Sequence, residues 1–108
     1  MTEQRFVCRL TPQEEREWRE TTGRALYAAA REVRKEPDGM SLHLPGSDDW
    51  LEKAAGLVRS ERRCCPFLTF TLRVDSDETG IELRMSAPPE AVSLLHEEVD
   101  VQQRLAAE

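Results

Sequence analysis

Three runs of strict alternation constrain the fold more than any other feature of this chain. Met40, Leu42 and Leu44 alternate with Ser41 and His43. Leu68, Phe70, Leu72 and Val74 alternate with Thr69, Thr71 and Arg73. Ile81, Leu83 and Met85 alternate with Glu82, Arg84 and Ser86. Successive side chains of a strand point to opposite faces, so each run predicts a strand with one apolar and one more polar face. Phe6, Cys8 and Leu10, set against Arg5, Val7 and Arg9, predict a further short strand over 5–10. A sheet with one apolar face needs another layer to cover it.

The covering layer is read from helix signals. Thr11-Pro12-Gln13-Glu14 supplies a cap, a first-turn proline and the acid of a capping box. The helix it opens is expected to run to about Glu36, with Trp18, Thr22, Ala25, Leu26, Ala29 and Val33 inward. Pro37-Asp38-Gly39 is a turn. Ser47 or Asp48 caps a second helix, which starts near Asp49 and stops by Cys65 because Pro66 cannot continue it. Its inner stripe is Leu51, Ala54, Ala55 and Val58, flanked by Trp50 and Leu57. Asp75 to Gly80 forms a hairpin loop. Pro88-Pro89-Glu90 opens a last helix with Val92, Leu95 and Val99 inward and a fraying tail from Gln102.

The expected order is β-α-β-α-β-β-α. It describes a single α+β domain over 1–108, a two-layer sandwich of a four-stranded mixed sheet with helices on one face. The ferredoxin-like pattern is a near relative, although its ends differ.

Charge narrows the function. The 108 residues carry a formal net charge of -6 with a pI of about 5.0, whereas nucleic-acid binding needs a basic footprint. Arg31, Arg34 and Lys35, like Arg59, Arg62 and Arg63, are interleaved with glutamates and read as solvated helix faces. No apolar run is long enough for a membrane span, and no positive segment followed by an apolar stretch opens the chain. Three cysteines, two of them adjacent, argue against a disulfide framework and for a reducing, cytoplasmic setting.

The most specific chemistry lies in Glu61-Arg62-Arg63-Cys64-Cys65-Pro66-Phe67, where the second helix meets the most apolar strand. Helical spacing sets Glu61 beside both Cys64 and Cys65. Adjacent thiols suit soft ions such as Cu(I), Hg(II) or Zn(II). They do not provide the C-x2-4-C spacing of a structural zinc site, so two or three sulfurs around a low-coordinate ion are expected. Cys8 is the candidate third sulfur, because alternation puts it on the core face, though it does not set its height along the strand. His43 faces the other way and is left out. His96, among Glu97 and Glu98, reads as a surface histidine. Trp18, Tyr27, Trp50, Phe67 and Phe70 read as core, and an inward Glu61 would find a partner in Arg62 or the Tyr27 hydroxyl.

The string from Glu61 to Phe70 resembles a family of small bacterial proteins with an E-R-x-C-C-P-F-x-x-F signature. The resemblance extends to Cys8-Arg9-Leu10-Thr11-Pro12, to Pro37-Asp38-Gly39 and to Ala87-Pro88-Pro89-Glu90, where the family tends to a Gly-Pro-Glu turn. Its matched positions are Cys8, Glu61, Cys64, Cys65, Phe67 and Phe70. Members are sometimes found beside heavy-metal resistance functions, mercury especially, so the resemblance implies a soft-metal role.

Three functional readings follow. The leading one is a protein that binds or senses a soft metal ion through Cys64 and Cys65, with Cys8 and Glu61 completing the site. The second is a structural or homodimerising module whose cysteines pack as small hydrophobes. The third is a thiol-redox sensor in which a sulfenic acid is resolved by a neighbouring thiol.

Overall fold

A computed structural model describes residues 13, 17, 23–75 and 79–107. In chain order these give α1 (Arg24–Ala29), β1 (Glu32–Glu36), β2 (Gly39–Leu44), α2 (Asp48–Cys64), β3 (Thr69–Val74), β4 (Ile81–Ser86) and α3 (Val92–Ala107), the last preceded by a 3-10 turn over Pro89–Ala91. The fold is α+β. The four described strands form an antiparallel sheet in the order β1-β2-β4-β3. The expected strand over 5–10 and the start of the first helix, including Trp18 and Thr22, lie outside the described residues.

Three alternating runs become β2, β3 and β4, with the expected faces. Met40, Leu42, Leu44, Ile81, Leu83 and Met85 are all 5% exposed or less. They meet Leu26 and Tyr27 of α1, Ala54 and Leu57 of α2, and Leu95 and Val99 of α3 in one core. Register aligns these faces, pairing Met40 with Met85, Leu42 with Leu83 and Leu44 with Ile81. Gly39 is required where β2 meets β4, since a Cβ there would collide with the Met85 carbonyl and lie 2.8 Å from the Ser86 Cα.

The largest departure from expectation lies between Ala29 and Gly39. The first helix does not reach Glu36. It ends at Ala29, Ala30 is extended, and Glu32–Glu36 is a strand. Val33, four residues beyond Ala29, fits the helical stripe as well as it fits a strand, so apolar periodicity alone does not choose between them. The turn chooses. Glu36-Pro37-Asp38-Gly39 has proline second and glycine fourth, which favours a tight reversal, and Glu36 pairs directly with Gly39. The Arg31 N–H donates to the His43 carbonyl at 2.7 Å at the far end of this hairpin. The sheet is therefore antiparallel among the described strands rather than mixed, and Arg31, Arg34 and Lys35 belong to a charged hairpin rather than to a helix face.

Smaller corrections concern the helices. In α2 Leu57 is fully buried and Ala55 exposed, so the inner stripe is rotated toward Leu57. Ser47 caps this helix, its Oγ accepting from the Trp50 N–H at 3.4 Å. α3 does not fray at Gln102. It continues to Ala107, and Gln102 is fully buried. His96 is half-buried rather than a surface residue. Its Nε2 lies 2.9 Å from the Glu36 carbonyl and 2.8 Å from that of Gly39. Both partners are acceptors, so Nε2 carries the proton and fastens α3 to the β1–β2 turn.

Candidate functional site

The site is built by the way α2 ends. Cys64 is the last helical residue and Cys65 leaves the helix with φ −123° and ψ 77°. The Cys65 N–H still donates to the Glu61 carbonyl at 2.7 Å, and the Cys65 carbonyl accepts from the Leu68 N–H at 3.1 Å. Pro66 has no N–H to extend the helix. The result is a tight turn that passes directly into β3, with Arg62 and Arg63 exposed on the last helical turn. Their positive charge opposes the negative end of the helix dipole, where a thiolate would otherwise be disfavoured.

Cys65 is half-buried and forms no disulfide. Glu61, one turn earlier, is also half-buried. The helical neighbourhood expected of Glu61 and Cys65 is therefore present. Cys8 lies outside the described residues. Among the described residues no group of three or more His, Cys, Asp or Glu side chains is arranged to hold a metal ion.

Behind the turn, the helices enclose a polar group that the sequence only partly announced. Tyr27 is 7% exposed. Burial pushes its phenol well above the usual value of 10.0, and the negative charges of Glu98 and then Glu61 push it further in the same direction. The phenol thus stays protonated and available as a donor near two carboxylates. Glu98 accepts from Gln102 Nε2 at 3.1 Å, while Gln102 Oε1 is buried without a hydrogen-bond partner among the described residues. Of the two partners expected for an inward Glu61, Arg62 is exposed and Tyr27 feels the Glu61 charge. Glu98 and Gln102 were missed, although Gln102 follows Leu95 and Val99 on the apolar stripe, a placement that signals burial.

The opposite end of the sheet holds a cleft of about 440 Å³ lined by Arg31, His43, Arg73, Asp75 and Glu82, among others. Its lining holds no cysteine, and its polar side chains engage one another. His43 Nε2 lies 3.1 Å from Glu82 and 3.9 Å from Glu32, and Arg73 Nε is 3.5 Å from Asp75. Arg31 Nη1 donates to the Thr79 carbonyl at 2.8 Å. His43 therefore belongs to a polar surface row at the end of the sheet away from Cys65, and alternation had already set it on the face opposite the core.

No protein-family model matches this chain, and no curated protein or solved structure does so either. No helix among the described residues is long and apolar enough to cross a membrane.

Proposed function

We propose that this protein binds a soft metal ion, with the Cys64 and Cys65 thiolates as ligands, Cys8 as third sulfur and Glu61 as a weak ligand or hydrogen-bond acceptor at the rim. The observation that carries the reading is the placement of Cys65. It sits half-buried and unbridged at the exit of α2, one turn from a half-buried carboxylate. A cysteine serving only as core filler would be sealed with Leu57 and Leu83. Adjacent thiols favour soft ions such as Hg(II), Cu(I) or Zn(II) over hard ones, and Arg62 and Arg63 would offset the thiolate charge. The described donors, Cys65 and Glu61, fit such an ion in kind, and the full set needs Cys8. We read the protein as cytoplasmic on the same cysteine chemistry, and the architecture as a two-layer sandwich related to the ferredoxin-like pattern, since the core lies on one sheet face.

Titration of reduced protein with Hg(II) or Cu(I), followed by thiolate-to-metal charge-transfer absorption, tests this. The expected result is saturation at one ion per chain, abolished in Cys64→Ser/Cys65→Ser. Equal binding by the double variant would sink the proposal. The exposure of Cys65 also serves a thiol-redox sensor. That reading expects a peroxide-driven mass change confined to Cys64 or Cys65 and reversed by reductant.

A further inference from the structure

Charge is sorted along α2. Asp48 and Asp49 lie in its first turn and Glu52 follows, while Arg59, Arg62 and Arg63 gather at its end, with the uncharged Ala55 and Gly56 between. Successive residues of a helix turn by about 100°, so the three arginines share one face. All three are exposed. Glu61, interleaved with them in sequence, falls on the other side of the helix, where it is half-buried and its charge reaches Tyr27.

The arginines of the sheet are engaged, Arg34 with Glu32 at 3.0 Å, Arg73 with Asp75 at 3.5 Å and Arg84 with Asp38 at 2.6 Å. Among the described residues no acid pairs with Arg59, Arg62 or Arg63. Like charges three and four residues apart repel. The negative end of the helix dipole offsets this for Arg62 and Arg63, which lie in the last turn, but it fades before Arg59. In a chain of net charge -6 the cluster is a local cationic spot. Guanidinium forks fit carboxylates with two parallel hydrogen bonds.

We propose that Arg59, Arg62 and Arg63 bind the carboxylates of small anionic thiols, so that the soft ion reaches Cys64 and Cys65 as a thiolate complex and not as a free cation. This deepens the metal reading and rests on it. A soft ion in a thiol-rich setting is already held by thiolates before it meets a protein. A free cation is repelled by the arginines, whereas a complex whose ligands carry carboxylates is drawn to them. From Arg59 to Cys65 the chain rises about 9 Å along the helix axis. An extended tripeptide spans roughly the same length, so a carrier of that size can rest on the arginines while its sulfur reaches the turn. The transfer is thiol exchange with no change of oxidation state. Two bonds from the ion to carrier sulfurs break, and two to the sulfurs of Cys64 and Cys65 form. The protons of the two cysteine thiols leave on the released carrier thiols.

The test compares two donors of one size and one thiol, the Hg(II) complexes of glutathione and of glutathione diethyl ester, in which the carboxylates are masked. Each is mixed with reduced full-length protein at low ionic strength, and initial loading is read by native mass spectrometry. The expected result is loading about tenfold or more faster from the glutathione complex, with the advantage shrinking as salt is added. Arg59→Gln/Arg62→Gln/Arg63→Gln should bring the two rates together. All three residues are exposed, and a matching far-UV spectrum checks that the variant is folded. Equal rates from the two donors in the parent would overturn the proposal. So would a variant that slows both donors by the same factor, because the arginines would then act on the cysteine thiols and not on the carrier. In both cases the parent still takes up Hg(II), so the metal reading survives. A parent that takes Hg(II) from neither complex nor from mercuric chloride defeats the metal reading and the carrier proposal together.

Discussion

The centre of the sheet and its β3 flank use the same kinds of residue to opposite ends. In β2 and β4 the apolar face is sealed, and Leu42 and Leu83 meet with no exposure to solvent. At the flank Phe70 and Leu72 are half-covered, and the preceding turn leaves Cys65 partly exposed. The difference separates two tasks. A sealed apolar face supplies stability but admits no ligand, whereas a thiol that is to meet an ion must stay reachable. On the proposed reading the centre holds the fold and the flank presents the thiols.

That division predicts unequal responses to substitution. Leu83→Ala should remove about 2–5 kcal/mol of stability, because Leu83 is fully buried and its loss leaves a cavity. Urea unfolding of this variant beside Cys65→Ser checks the contrast, since Cys65 is half-buried and its variant should stay within about 1 kcal/mol of the parent, as substitutions outside a sealed core usually do. A Cys65→Ser variant as unstable as Leu83→Ala would erase the distinction between the two regions.

His96→Ala should cost an intermediate amount, about 1–2 kcal/mol, by leaving the Glu36 and Gly39 carbonyls without their side-chain donor. The same urea series measures it. Amide exchange should quicken around the β1–β2 turn while β3 is unaffected.

The smallest effect near neutral pH belongs to the contribution of Tyr27 ionisation. Its folded value is raised, so the folded state holds the phenolic proton more tightly than the unfolded chain does. The contribution is therefore present in full below about pH 10 and declines as pH rises above it, because the unfolded chain then releases a proton that the folded chain keeps. Stability followed from pH 8 to 11 should fall more steeply in the parent than in Tyr27→Phe. Parallel curves would contradict the raised Tyr27 value that burial, Glu98 and Glu61 together impose.

Much of this arrangement was legible in the sequence. β2, β3 and β4 could be read because burial on one face imposes period two on their side chains. The bounds of α2 could be read because Ser47 and Pro66 act locally. The neighbourhood of Glu61 and Cys65 follows from helical spacing alone. β1 was hidden because its one apolar residue, Val33, satisfies both periods, and only pairing with β2 selects the strand. Strand order depends on contacts distant in sequence. His96 and Gln102 were misjudged for a related reason. His96 is polar and read as surface, yet it is half-buried against the β1–β2 turn, and Gln102, read as the start of a fraying tail, is fully buried within α3.

The central claim is that the adjacent cysteines at the end of α2 hold a soft ion. Native mass spectrometry of the reduced chain with Hg(II), Cu(I) and Zn(II), beside Cys64→Ser/Cys65→Ser, tests it most directly. The account predicts one ion per chain in the parent and none in the double variant. A parent that stays metal-free with all three ions, or a variant that retains the ion, would contradict it.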